Sequence, residues 1–307
     1  MRPPKSKYRI DCVNTHRFSV IIPTHDRPAQ LAQCLMAIRS LDFPKDALEI
    51  IVVDDGSPVP VKERIGEKEE LQDTRWIRIP NSGPAAARNR GATASNGDYL
   101  VFIDDDCIPS SDWLANVARC ATLYPDCLIG GRTLNRLANN PYSTTSQIIV
   151  NAAYGFYNAT PLRARFLASN NMTVRTDLFA SVGGFNEGFR IASEDREFCD
   201  RWLHQNRRIV FCEEIVIFHH HTLTLETFCR QHFNYGRGAF QYHSLRHKRG
   251  SGSIKGDMRF HTRLGSLLGT PLMKLNRTMA ARVCVLLALW QIVNLFGFLY
   301  QASTSRN

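Results

Sequence analysis

Three consecutive carboxylates, Asp104, Asp105 and Asp106, follow an apolar run at residues 99–103 and precede Cys107-Ile-Pro109. Like charges this close repel one another, and a fold tolerates them only with compensation. A divalent cation supplies it, because carboxylate oxygens are natural ligands of hard ions such as Mg²⁺ and Mn²⁺. The competing reading is a solvated acidic turn, since aspartate is common in turns and at helix starts. A second pair, Asp54-Asp55, ends the apolar run at residues 49–53. A third, Glu194-Asp195, opens a helical stretch. Carboxylates there complement the helix dipole, or take a proton from an attacking hydroxyl. His219-His220-His221 is the fourth cluster. In an extended segment His219 and His221 share a face, and a neutral imidazole ligates Mn²⁺ beside carboxylates.

The elements that hold these groups alternate in type. Strand signals fall at residues 18–22, 49–53, 75–79 and 99–103, the first stopped by Pro23. Between them Leu31, Leu35, Ile38 and Leu41 repeat at helical spacing from Pro28, and a second helix runs from Pro84 to about Ala94. Ser111 or Asp112 is placed to cap a third helix that buries Trp113, Leu114 and Val117. Such alternation predicts a mainly parallel, Rossmann-like sheet flanked by helices. Ligands bind at the carboxyl ends of such strands, which brings both aspartate clusters to one sheet edge. The pattern loosens over residues 140–165, read as a loop-rich insertion. A helix follows from Glu194 to about Gln205, then separate strands at 209–211 and 215–218, then a helix from about Leu225 carrying Phe228 and Phe233. Neither G-x-x-x-x-G-K-[ST] nor a G-x-G-x-x-G after the first strand is present, so phosphate charge must be met by a cation on aspartates.

The 307 residues are 44% hydrophobic and 21% charged, which is a globular composition. Nine cysteines without a C-x-x-C pair suit a reducing compartment. The basic start of the chain lacks a signal peptide's apolar stretch and reads as a leader, residues 1–17. The net charge of +10 is concentrated between Arg237 and Arg263, which favours anionic partners. Residues 283–300 then form an apolar stretch at the lower length limit for spanning a bilayer. Lys274, Arg277 and Arg282 precede it, so the basic side faces the cytoplasm. A buried packing helix and an in-plane anchor are the alternatives. The charge therefore points to a membrane surface on its cytoplasmic face, with no nucleic acid expected.

An ordered series of motifs now carries a resemblance. Residues 18–27 (FSVIIPTHDR), 51–57 (IVVDDGS), 83–91 (GPAAARNRG), 101–106 (VFIDDD), 182–187 (VGGFNE), Glu194-Asp195, the His219 block and 230–238 (RQHFNYGRG) together resemble a family 2 glycosyltransferase. The resemblance implies the GT-A fold, residues 18–245 as catalytic domain, and residues 246–307 as a basic linker with a hydrophobic helix. It implies inverting transfer from a UDP- or GDP-sugar class donor, with Mn²⁺ or Mg²⁺, to a glycan, lipid-linked or small-molecule acceptor. By position, Pro23, Thr24, His25 and Asp26 would lie by the nucleotide, Asp55 by the base and Arg88 by the nucleotide or its phosphates. Asp106 would be the principal metal ligand, with Asp104 or Asp105 near the ribose and Asp104 as the other end of the D-x-D motif. Asp195 would be the base, beside Glu194, and His219 or His221 would complete the metal shell. At most one membrane segment is present, which favours transfer of one sugar over polymer extrusion. The rival readings are a sugar-phosphate nucleotidyltransferase and a non-catalytic basic protein that binds membranes or nucleic acid.

Overall fold

A computed structural model describes residues 16–66 and 71–305. The basic residues 1–15 and Arg306 lie outside the described range. Strands β1 (Phe18–Thr24), β2 (Leu48–Asp55), β3 (Thr74–Ile79) and β4 (Tyr99–Ile103) pair in parallel, in the order β3-β2-β1-β4. The sheet continues as β7 (Asn171–Arg175), β6 (Leu128–Asn135), β8 (Ile209–His219) and β5 (Cys107–Pro109). There β7 runs antiparallel to both β4 and β6, and β5 antiparallel to β8. The sheet is therefore mixed, and the parallel expectation holds for its first half.

Both faces of β1, β2 and β4 are covered, which is why they read as apolar runs, whereas the edge strand β3 leaves Arg75 and Arg78 exposed. Val20, Ile22, Val52 and Val101 pack with Leu31 and Leu35 of α1 (Pro28–Arg39), Val61 of α2 (Val61–Ile65) and Trp113 of α4 (Trp113–Leu123). Ile21, Ile51, Leu100 and Phe102 pack on the other side with Ala85 of α3 (Pro84–Thr93), Phe179 of α6 (Thr176–Val182) and Phe198 of α7 (Glu194–His204). Alternate residues thus serve alternate cores. Because β1 has β2 on one side and β4 on the other, its carboxyl end is a switch point where a crevice opens.

Four local expectations are corrected. Pro23 does not stop β1, which runs to Thr24; pairing with β4 ends at Ile21, and beyond it β1 follows β2 alone. A proline is tolerated at such a strand end. Asp112 occupies the N-cap of α4, but no side chain caps it, and the Asp112 carboxylate instead accepts from Ser110 Oγ at 2.7 Å. The strand pieces at 209–211 and 215–218 are one strand, β8, whose ladder with β6 shifts register between Gly131 and Arg132. That irregularity accommodates the Glu213-Glu214 break in the apolar pattern.

The supposed loop insertion holds a helix of 17 residues, α5 (Pro141–Tyr157), capped by Asn140, whose side chain accepts from the Tyr142 and Ser143 amides. Its buried residues include Ser143, Thr144, Thr145 and Ser146, so a polar inner face hides the helical period from a hydrophobicity reading.

After β8 the chain is helical: α8 (Leu225–Arg249), α9 (Ile254–Thr262), α10 (Leu264–Met273) and α11 (Arg277–Thr304). A third apolar cluster joins Ile148 and Ala152 of α5, Phe228 of α8, Phe260 of α9, and Val283, Leu287 and Trp290 of α11. Helices α8 and α11 touch backbone to backbone at two glycines. A Cβ on Gly236 would lie 2.0 Å from the Asn294 carbonyl oxygen, and one on Gly297 would lie 2.0 Å from that of Phe233. Gly236→Val is therefore expected to push α11 off α8 and to cost about 1–3 kcal/mol of stability, the usual size of an overpacking penalty. Urea unfolding checks this, and an unchanged midpoint would contradict the close approach.

Candidate active site

The aspartate triplet is the turn between β4 and β5, and its three side chains point three ways. Asp104 accepts from Arg88 Nη2 at 2.6 Å. Asp105 accepts from Thr24 Oγ1 at 2.7 Å and from Arg27 Nη1 at 3.2 Å. Asp106 lies 3.1 Å from His219 Nε2 and 3.3 Å from Arg27 Nη1. The antiparallel pairing of β5 with β8 sets Cys107 opposite His219, and the His220 amide donates to the Asp106 carbonyl at 2.8 Å. This ladder, between segments over a hundred residues apart, is what brings the histidine block to the triplet. His219 and His221 stack with ring centroids 4.7 Å apart.

Burial works against charge on these groups, and the partners decide the outcome. The Asp106 carboxyl is buried, yet His219, Arg27 and His221 hold it well below the usual carboxylate range. Asp105 is pushed up to about 7 by burial and by Asp106, against the pull of Arg27 and Thr24. Burial lowers His219, but Asp106 raises it more. His221 falls to about 4 through burial and the charge of His219.

Arg88 is buried and bridges two motifs, with Nη2 on Asp104 and Nη1 on Glu194 at 2.9 Å. Glu194 thus faces a fixed guanidinium. Its neighbour Asp195 accepts the Arg196 amide at 2.7 Å, after Ser193, whose φ of 75° turns the chain into α7. Burial and the charge of Glu194 push Asp195 up to about 7. A carboxylate poised there suits a base working near neutrality.

The nucleotide-side residues lie around the corner. The Asp55 carboxylate accepts the Ser82 and Gly83 amides at 2.7 and 2.9 Å, and its carbonyl contacts His25 Nδ1 at 2.8 Å. Asp54 holds the turn after β2 by accepting from the Ser57 and Val61 amides. Asp26 has a φ of 54°, donates its amide to Ser57 Oγ at 2.8 Å and pairs with Arg64. A non-glycine residue in this region is strained and needs surrounding contacts to hold it.

One cavity of about 1280 Å³ is lined by Arg27, Arg88, Asp104, Asp106, Glu194, Asp195, His219 and His221. Of the expected residues, Pro23, Thr24, His25, Asp26, Asp55 and Asp105 do not line it. Arg27 and the polar face of α5 (Ser143, Ser146, Gln147), which do line it, escaped the sequence reading. The signals were present: repulsion within the triplet asks for a cation, and Arg27 directly follows the first strand's motif. In α5 the polar residues themselves recur at helical spacing.

Residues 19–195 match the sequence profile of "Glycosyl transferase family 2". The chain belongs to glycosyl transferase family 2. It is a glycosyltransferase, which sets aside the nucleotidyltransferase and non-catalytic readings. The chain is 28% identical over 226 residues to "Glycosyltransferase AglE" of Haloferax volcanii, covering 73% of each chain. It is 26% identical over 252 residues to "Succinoglycan biosynthesis protein ExoW" of Rhizobium meliloti, covering 71% of this chain and 76% of the relative. The fold matches a solved mannosyltransferase from Pyrobaculum calidifontis, described in complex with GDP-Man and Mn²⁺, with a TM-score of 0.62 at 17% identity over 94% and 86% of the two chains. A Staphylococcus aureus TarS fragment matches at a TM-score of 0.56 and 15% identity, over 91% and 81%. These likenesses establish the GT-A fold for this family 2 enzyme.

Proposed function

We propose that the enzyme moves one sugar, with inversion, from a nucleoside-diphosphate sugar of the UDP or GDP class to an acceptor hydroxyl, assisted by a divalent cation. The observation that carries this reading is the meeting, on one cavity, of Asp104, Asp106 and His219 with Asp195. The donor set fits a hard divalent cation: the ligand atoms of Asp106, Cys107 and His219 lie within 4.8 Å of one another. Of these, the Cys107 thiol is buried and pushed up by burial and by the neighbouring aspartates, so it stays protonated and leaves an oxygen and a nitrogen donor. Arg27 beside Asp105 and Asp106 marks the same point as one that stabilises positive charge. Asp106 would hold the cation with His219, supported by Asp104; His221 stacks behind His219 and orients it. When bound, the cation neutralises charge on the departing diphosphate.

The protein's own groups do the rest. Thr24, His25, Asp26, Pro23 and Asp55 form the wall where the nucleoside would bind, with Asp105 reached through Thr24. Arg88 fixes Asp104 against Glu194 and so sets the distance between the donor and acceptor walls. Asp195 takes the proton of the acceptor hydroxyl as its oxygen bonds to the anomeric carbon and the bond to the diphosphate breaks on the opposite face. Single transfer fits the one helix, among the described residues, long and apolar enough to cross a bilayer. A Q-x-x-R-W string does occur, at residues 72–76, but it leads into the edge strand β3 ahead of the aspartate triplet. In domain terms, residues 18–245 are the catalytic unit and residues 246–307 an extension, with the boundary inside α8 and helix α11 packed against α8 and α5.

The extension is also the membrane-facing part. Residues 277–304 form the one helix, among those described, long and apolar enough to cross a bilayer, with 28% of its apolar window buried. It packs along α8, which carries Arg230, Arg237, Arg246, Lys248 and Arg249. Crossing would drag those charges into hydrocarbon, so α11 lies in the plane of the cytoplasmic surface.

A thermal-shift screen of nucleotide sugars, with and without Mn²⁺, tests the reading. One donor together with Mn²⁺ is expected to raise Tm by about 4 °C or more at a hundredfold excess over Kd. NMR of the product should show the anomeric configuration opposite to the donor's. Retention, or stabilisation indifferent to Mn²⁺, would overturn it.

A further inference from the structure

The large cavity is more than a donor site. The base-side residues Thr24, His25, Asp26 and Asp55 are not on its wall, so most of its volume lies beyond the aspartates, toward the acceptor. A volume of about 1280 Å³ exceeds the usual range for a single small ligand, about 300–1,000 Å³. Its wall is mixed: Ser143, Gln147, Asn170 and Asn234 are polar, whereas α9 and α11 contribute apolar Ile254, Met258, Phe260, Trp290, Leu295 and Phe298 beside polar His261, Thr262, Gln291 and Asn294.

Part of that apolar lining is itself exposed. Met258 and Leu295 are each 57% exposed, and Ile292, Phe296 and Leu299 of α11 are exposed around them. Most of the large apolar side chains exposed among the described residues lie between Ile254 and Tyr300. Soluble proteins rarely gather exposed apolar side chains without a partner for them. Here Met258, Ile292 and Leu295 of that exposed group line the same cavity as the candidate base Asp195. The basic residues Arg259, Arg263, Lys274 and Arg277 border the same helices and favour an anionic surface around the mouth.

We propose that the acceptor is an amphiphile: a hydroxyl-bearing polar head that enters the throat before Asp195, joined to a hydrocarbon chain that lies between α9 and α11. The proposal rests on the glycosyl-transfer reading of this site and adds the chemical class of the acceptor. The groove's occupant is the acceptor's own hydrocarbon tail, because groove and base share one wall.

The probes are alkyl maltosides of increasing chain length, used below their critical micelle concentrations with the full chain, and maltose as the tail-less control. A brominated alkyl maltoside is expected to quench Trp290 saturably, since bromine quenches on contact. Affinity should rise about three- to fourfold per methylene, as burial of each CH₂ group predicts. The bound head should also suppress the slow hydrolysis of the stabilising nucleotide sugar, because it displaces water from in front of Asp195. Leu295→Glu and Met258→Glu, both at exposed positions, should weaken binding at least tenfold while the Tm rise given by donor and Mn²⁺ stays. Equal affinity for maltose, quenching that survives Trp290→Phe, or no saturable quenching would overturn the proposal. Chain-dependent binding that leaves donor hydrolysis unchanged would assign the groove to bilayer lipid and overturn it too. Failure of the transfer reading itself would look different: the Tm rise with donor and Mn²⁺ would be missing.

Discussion

Replacing Asp195 with asparagine is expected to reduce sugar transfer by about a hundredfold to ten-thousandfold, the range over which a positioned base acts. The fold should survive and gain stability at pH 8. The physical reason is the cost of its charge. Burial and Glu194 raise the carboxyl from 3.8 to about 7 in the folded protein, so between those values the folded state binds more protons than the unfolded chain. Stability therefore falls as pH rises from about 4 through 7, and an asparagine, which never ionises, removes that fall. With part of the side chain open to solvent, a gain of about 1–2 kcal/mol at pH 8 is reasonable. The same shift sets the rate profile. Transfer needs the ionised form, so the rate should drop about tenfold per unit below pH 7 and level off above it. Rate–pH profiles and urea unfolding at pH 5 and 8 check both halves. A variant that is inactive but destabilised at pH 8 would reassign Asp195 to a structural role.

Asp106→Asn is expected to lose transfer by about a hundredfold or more, with a different signature. The triplet's charge is shared out in the fold: Arg88 takes Asp104, Thr24 takes Asp105, and His219 with Arg27 takes Asp106. Removing the charge of Asp106 removes the chief reason that His219 is held protonated above its usual range, and takes away one of the three carboxylates facing Arg27. Donor stabilisation should then become indifferent to Mn²⁺, while Asp195→Asn keeps that dependence. Isothermal titration of Mn²⁺ into each variant, with donor present, separates the two. Equal Mn²⁺ affinity in wild type and Asp106→Asn would move the ligand role to another carboxylate.

Read from residues alone, the strands at 49–53 and 99–103 are plain because two-sided burial leaves apolar runs. The strand at 75–79 shows through its aromatic and branched residues between exposed arginines, and the helices at 28 and 84 through spacing and an opening proline. The clusters at Asp54-Asp55 and Asp104–Asp106 were placed at one edge by the same logic of parallel strands, and β2 and β4 do deliver them to the carboxyl side of the sheet. Helix α5 was not legible, since its inner face is lined with serine and threonine. Nor was β7, whose sequence Asn171-Met-Thr-Val-Arg175 alternates weakly and whose antiparallel place beside β4 is set by partners far along the chain.

What the sequence by itself determined was the family, the acidic edge and the kind of chemistry, because each depends on residue type and on near neighbours. Only the tertiary structure decided who partners whom. It parted three identical aspartates, giving Asp104 to Arg88, Asp105 to Thr24 and Asp106 to His219. It also committed Glu194 to Arg88 and, through burial and that neighbouring charge, raised the proton affinity of Asp195. And it laid α11 along α8 at Gly236 and Gly297, so that an apolar stretch legible as a membrane span became the far wall of the site. Proton affinity and charge pairing are set by distances of a few ångströms between residues distant in sequence, and such distances exist only once the chain has folded.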